Sequence, residues 1–209
     1  MLHDPAFGWV GTVKLRDGRQ VFVRPARLGD EPLIQAFVRG LSVDSRYQRF
    51  FLPLQELPPD HLKRLTQSHP KTYAALLAFD SSAAHSPRVA GIVEYGAEIR
   101  GEACELAVVV SEDWRRQGLA LRLMKDLADV AAANGFTRVV IDVLRANVPA
   151  LELARRFGAV PGRSGGAFSS GSGVVRLSAS LPSAAHDGPM ARLPLCRPRP
   201  AVAAQVSAN

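Results

Sequence analysis

The chain has 209 residues, 47% of them hydrophobic, and its 26 Lys and Arg against 19 Asp and Glu give a formal net charge of +7. That length suits one α/β domain with a real core and is too short for two large ones, and the absence of any run of about twenty apolar residues argues against a helical membrane span. The positive charge invites a nucleic-acid reading, but the arginines are scattered over most elements with no nucleic-acid motif, and Cys104 and Cys196 lie too far apart, with no ligand spacing, for a disulfide framework or a zinc site.

Residues 1–12 read as a loose lead-in. With Asp4 and Gly8 and no basic start before an apolar stretch they do not form a signal peptide, so a cytoplasmic protein is expected. Gln20 to Arg24 is a short strand. Asp30 is placed to cap a helix with Pro32 in its first turn, and Leu33, Ala36, Phe37, Gly40 and Leu41 share one helical face. Ser42 and Asp44 suit the start of a second helix, with Tyr47, Phe50 and Phe51 packing inward. His61 and His69 flank a helix begun by Asp60 and have no carboxylate or cysteine at ligand spacing. Tyr73 falls in an apolar run that reads as core. Ser81 to Pro87 reads as a hairpin tip carrying a solvated His85, Val89 to Tyr95 as a strand, and Glu98 and Glu102 as surface charges of a hairpin.

Leu106 to Val110 is an unbroken apolar run rich in β-branched residues, as expected of a central strand covered on both faces. The turn Arg115-Arg116-Gln117-Gly118-Leu119-Ala120 follows. Beyond it Ala120, Leu123, Met124, Leu127, Ala128 and Ala131 recur at helical spacing until Gly135 stops the helix. A strand feeding a helix through a basic, glycine-containing turn leaves unpaired N–H groups aimed at one spot, where the helix dipole also favours negative charge. A pyrophosphate fits there. Gly118 has no Cβ and Ala120 is small, so the main chain can come close, and Arg115 and Arg116 can add charge-assisted bonds. The six residues taken alone also suit an ordinary strand-to-helix turn with solvated arginines.

Arg138 to Val143 is a second apolar strand, and Asn147-Val148-Pro149-Ala150 opens a helix whose Ala150, Leu153, Ala154 and Phe157 share a face before Gly158 ends it. Arg163 to Gly173 is a glycine and serine rich link before a last strand at Val174 to Leu177. From Pro182 the chain is Ala, Pro, Ser and Arg without periodicity, so disorder is expected. The organisation is thus a lead-in over 1–12, a domain over 13–180 and a tail over 181–209.

The order of strand, RRQGLA, helix, strand, Asn147, helix and RRFGA resembles the GNAT superfamily of acyl-CoA-dependent N-acyltransferases, and Leu15 to Phe51 resembles the opening of its bacterial protein-lysine acetyltransferase branch. The resemblance implies an α/β fold with a central, mostly antiparallel sheet, a splayed parallel pair and flanking helices. It implies acetyl-CoA as co-substrate, no metal, and a protein lysine or small amine as acceptor. Arg115, Gly118 and Ala120 match the superfamily's pyrophosphate turn, Arg/Gln-x-x-Gly-x-Gly/Ala. Val108, Val109 and Val110 match the strand whose backbone bonds the pantetheine arm, and Asn147 matches a further cofactor contact. In that branch the segment from Ser42 to Phe51 borders the acceptor site.

Acetyl transfer requires the acceptor amine to lose a proton, and a lysine ammonium has a pKa of about 10.4. Glu105 matches the branch's general base, and burial on an apolar strand would raise its pKa toward the working range. By residue type alone it also reads as a solvated strand-end carboxylate, and Glu94 is the runner-up base. Strand parity puts Glu105, Ala107 and Val109 on one face and Cys104, Leu106 and Val108 on the other. Where many members carry a tyrosine that protonates the departing thiolate, this chain has Ala154; a thiol of pKa about 8.5 can leave without much help. Tyr47 and Tyr95 are the other tyrosines near plausible elements. Ala154 also gives weight to a non-catalytic acyl-CoA sensor, and a small-molecule N-acetyltransferase would share every cofactor feature.

Overall fold

Alternating and continuous apolar runs give the chain one eight-stranded sheet in the computed structural model, which describes residues 11–82, 87–99, 101–161 and 173–182. Its strands are β1 Gly11–Lys14, β2 Gln20–Pro25, β3 Tyr73–Asp80, β4 Val89–Ala97, β5 Ala103–Val110, β6 Arg138–Leu144, β7 Val160–Pro161 and β8 Val174–Ser180. They lie in the order β1-β2-β3-β4-β5-β6-β8-β7. Each neighbouring pair is antiparallel except β5 with β6. The helices are α1 Glu31–Gly40, α2 Val43–Phe50, α3 Pro59–Thr66, α4 Leu119–Ala133 and α5 Val148–Phe157. Because α4 carries the chain from β5 back to the start of β6, those two strands run parallel.

The sheet has a core on each face. On one, Leu123, Met124 and Leu127 of α4 and Ala154 of α5 pack on Tyr95, Cys104, Leu106 and Val139. On the other, Ile34, Phe37 and Val38 of α1 and Leu65 of α3 cover Ala75, Leu77, Ile92 and Val109. Each fully buried Leu, Ile or Met contributes about 1.5–3 kcal/mol by leaving water. The expected mixed sheet with one parallel pair and flanking helices is therefore present.

Several local expectations shift. β1 begins at Gly11, inside the expected lead-in, because Val13 opposite Val21 extends the buried row of the β1–β2 hairpin. The inward face of α1 is Ile34, Phe37, Val38 and Leu41, while Ala36 is exposed. That set has the i, i+3, i+4, i+7 spacing and the larger side chains, so it outweighs a face containing Ala36 and Gly40. Ser42 caps α2 as expected, accepting from the Ser45 N–H at 3.1 Å, but Tyr47 points outward at 46% exposure. β7 has two residues and carries no sequence signal. The hairpin tip with His85, most of the Gly/Ser link, the tail beyond residue 182 and Cys196 lie outside the described residues. Among the described residues no helix is long and apolar enough to cross a membrane.

Candidate active site

The sheet forks at Glu105. Strand β5 pairs with β6 only at Ala103–Arg138, Cys104–Val139 and Glu105–Val140, yet stays paired with β4 as far as Val110. Two flanking bonds set the parity: Ser111 N–H donates to Ala90 O at 3.0 Å and Glu98 N–H to Ala103 O at 2.9 Å. Since main-chain groups alternate along a strand, odd-numbered residues of β5 face β4, and Leu106, Val108 and Val110 turn their amides and carbonyls into the opening. The Val110 carbonyl accepts from Arg115 Nε at 3.1 Å on that side. Val109 differs from its neighbours: its main chain faces Ile92 of β4 and its side chain is buried in the core under α1 and α3.

The turn beyond β5 runs through a single 3-10 turn at Glu112–Trp114 to Arg115, Arg116, Gln117 and Gly118, then into α4. Arg116 and Gly118 have left-handed φ of +59° and +88°. In this conformation the amides of Arg116, Gln117 and Gly118 find no main-chain acceptor among the described residues, and the first-turn amides of Leu119 and Ala120 lack one by helix geometry. Leu119 is 1% exposed and anchors the helix, while Ala120 packs half-buried beside it. The arginines diverge. Arg116 is exposed, whereas the Arg115 guanidinium turns back to Val110 O, to Ser45 Oγ at 2.7 Å and to Glu112 Oε1 at 3.1 Å. Asn147 is the N-cap of α5, its Oδ1 accepting from Ala150 N–H at 3.1 Å.

On the opposite face from α4 lies an open cleft of about 1090 Å³, whose lining includes Arg49, His61, Tyr73, Glu94, Gly96 and Glu105. Glu105 stands opposite Gly96, and Gly96 opposite Tyr73, so the three form one row across β5, β4 and β3. A Cβ on Gly96 would meet the Tyr73 ring at 3.5 Å, and its absence leaves the floor of the row low. Burial, and next the Asp142 carboxylate, push the Glu105 pKa up, against the opposing pull of Arg176 and Arg49. Its carboxylate has no hydrogen-bond partner among the described residues. Cys104 faces the other way, into the core under α4, where burial pushes its thiol up to about 12.

Glu94, one row nearer the open end of β5, is saturated. It accepts from Arg49 and from the Tyr73 hydroxyl, and His61 Nε2 lies 3.0 Å away. Burial opposes its charge, but Arg49 and His61 overcome this and hold the carboxyl down at about 2. An anion so well satisfied has little drive to take a proton, so Glu94 is the weaker base of the two. Tyr73 packs against the core under α1 and α3, as expected, and also lines the cleft, where burial with the Glu94 charge raises its pKa. Tyr95 is fully buried, its hydroxyl donating to Pro70 O at 2.5 Å. Glu98, expected as a surface charge, is half-buried and pairs with Arg176 at 3.2 Å. Arg49, His61 and Tyr73 come from α2, α3 and β3, and no local spacing in the sequence could have joined them to Glu94.

A sheet that opens at its one parallel pair, with a glycine turn feeding a helix at the mouth of the opening, has the architecture of the GNAT acyltransferases. The acetyltransferase (GNAT) family matches residues 41–159, and the chain belongs to it. It is an acetyl-CoA-dependent N-acetyltransferase. The chain is similar to an acetyltransferase of Pseudomonas aeruginosa, 34% identical over 134 residues that make up 63% of this chain and 69% of that protein. Among solved structures it is similar to the GNAT domain of S. lividans PAT, at 28% identity and a TM-score of 0.72, covering 83% of this chain and 97% of the other. It shares its fold with a spermidine N-acetyltransferase from Vibrio cholerae solved with CoA and spermine, at 16% identity and a TM-score of 0.59, over 77% and 95% of the two chains.

Proposed function

We propose that the protein transfers acetyl from acetyl-CoA to a protein lysine, with Glu105 as the general base and residues 13–180 as the catalytic domain. The observation that carries this reading is the position of Glu105 at the last paired row before β5 and β6 separate. There an unpartnered carboxylate of raised pKa borders the cleft on one side and the open strand edge on the other.

The residues fit the donor. Val108 and Val110 offer main-chain groups to the pantetheine arm along the opening, with Val109 paired away from it. The amides from Arg116 to Ala120 and the dipole of α4 suit the pyrophosphate. Asn147 keeps its side-chain NH₂ for a cofactor contact, since only its oxygen is used by the helix cap. The acetyl group arrives as a thioester. Glu105 takes the proton from the lysine ammonium, directly or through one water; the freed amine forms the new C–N bond as the C–S bond breaks, and the proton remaining on the attacking nitrogen passes through water to the departed thiolate, giving the neutral amide and the CoA thiol. The thiolate leaves without an acid at Ala154, which is consistent with a thiol pKa of about 8.5 and a positive helix end nearby.

The lysine acceptor is supported by the resemblance of Leu15 to Phe51 to the protein-lysine branch and by a cleft open enough to admit a side chain from another protein. A cytoplasmic location belongs to the same reading. Incubating the protein with acetyl-labelled acetyl-CoA and a whole-cell extract tests it. Label on protein lysines, lost in Glu105→Gln, is the expected result. Label only in small molecules would move the acceptor class, and no transfer with acetyl-CoA binding intact would favour a sensor.

A further inference from the structure

The β1–β2 hairpin, three strands away from β5 in the sheet, reaches the phosphate turn. Its loop is Leu15-Arg16-Asp17-Gly18-Arg19, closed by Leu15 N–H to Arg19 O at 2.8 Å and by Gly18 in the left-handed region at φ +87°. Three contacts dock this loop on the turn after β5. Arg16 N–H donates to Gln117 O at 3.4 Å. Arg19 donates through one Nη to Asp113 O at 2.8 Å, and its guanidinium lies 4.1 Å from the Trp114 ring centre. Asp17 holds Arg19 from the side, at 2.7 Å.

The docked loop leaves the Arg16 side chain beside the glycine of the cradle: a Cβ built on Gly118 would lie 3.7 Å from Arg16 Nε. Arg16 is exposed, and its guanidinium has no hydrogen-bond or ion-pair partner among the described residues. Arg115, the arginine that the local motif assigns to phosphate, is occupied by Val110 O, Ser45 and Glu112. An arginine held at its main chain, open at its guanidinium and set against a cluster of unpaired amides is matched to a phosphate oxygen, which its planar fork can engage with two donors.

We infer that Arg16 is a binding residue for the pyrophosphate of acetyl-CoA, supplied from the β1–β2 hairpin in place of Arg115. This rests on the cradle reading above, and its test separates the two. Acetyl-CoA and 3′-dephospho-acetyl-CoA would be titrated by calorimetry into the wild-type protein and the variants Arg16→Ala, Arg16→Lys and Gly118→Glu, each checked for an unchanged fold by circular dichroism. The expected result is a rise in Kd of about tenfold in Arg16→Ala, equal for both ligands, with part of the affinity restored in Arg16→Lys and none left in Gly118→Glu. The wild-type affinity should also fall more steeply with salt than that of Arg16→Ala. An unchanged Kd in Arg16→Ala, with binding lost in Gly118→Glu, would overturn the role of Arg16 and leave the cradle standing. A loss confined to acetyl-CoA would move Arg16 to the 3′-phosphate and overturn the pyrophosphate assignment. Normal binding in Gly118→Glu would overturn the cradle reading, and this inference with it.

Discussion

The Ser45 hydroxyl donates to the Glu112 carboxylate at 2.5 Å, joining α2 to the turn after β5 across 67 residues of sequence. Ser45 is 4% exposed, and its oxygen also accepts from Arg115 at 2.7 Å, so one buried hydroxyl connects α2 to the arginine at the start of the glycine turn before α4. Ser45→Ala removes that junction. Unfolding in urea should show a loss of about 1–2 kcal/mol, as expected when a buried group forfeits its hydrogen bonds.

The same junction has a pH signature. Desolvation opposes the Glu112 charge, but the Ser45 and Ser42 bonds prevail and hold the carboxyl down at about 2, below the ordinary 4.5. A depressed carboxyl stabilises the fold fully above its unfolded pKa, and that contribution disappears as pH falls through the folded one. The stability gap between wild type and Glu112→Gln should therefore be complete at pH 6 and close between about pH 5 and pH 2. A gap independent of pH would remove the charge from the explanation.

Glu105→Gln should bind acetyl-CoA normally and lose turnover by about 10²–10⁴-fold, the range for removing a general base. Because burial and then Asp142 raise the Glu105 pKa, the acidic limb of kcat/KM should sit above the ordinary carboxylate value of 4.5. Activity falls as pH drops through that raised value, since the base must be ionised. Asp142 holds Arg176 through two bonds of 2.7 and 2.8 Å. Asp142→Asn both deletes a negative neighbour and frees a positive one, so the acidic limb should move to lower pH. A limb that stays in place would mean that another group is titrating.

Arg49→Ala should be the most destabilising single change in the cleft, by about 3–5 kcal/mol, because it strands the Glu94 charge in a buried site. The two side chains are 13% and 9% exposed. Since Glu94 is held low, the protection it gives is present above the ordinary carboxylate value and lost as pH falls toward about 2. Denaturant unfolding at pH 7 and pH 3 measures both effects.

Gly118→Ala distinguishes backbone need from space. Its added methyl would meet nothing nearer than Arg16 Nε at 3.7 Å, but φ is +88°. The cost should thus be conformational, about 1–2 kcal/mol in stability, with a matching loss of affinity for acetyl-CoA if the turn relaxes to a right-handed geometry. A variant as stable as wild type would show that the left-handed turn is not required.

Features with a local cause are legible in the order of the residues. The apolar β-branched run at Leu106 to Val110, the glycine at the start of α4 and the cap at Asn147 each act within a few residues, so strand, glycine turn and helix could be read in order. The opposite facings of Glu105 and Cys104 also follow from strand parity alone. Which groups meet is set by long-range packing. The fork after Glu105 depends on where β6 stops pairing, the grip on Glu94 joins three separate elements, and Arg16 reaches Gly118 because a distant hairpin docks on Trp114. The commitment of Arg115 to Ser45 and Glu112 is of the same kind. A side chain's local motif states what it can bind, but the charges and hydrogen bonds that compete for it come from residues far along the chain, and only the packed fold brings them within reach.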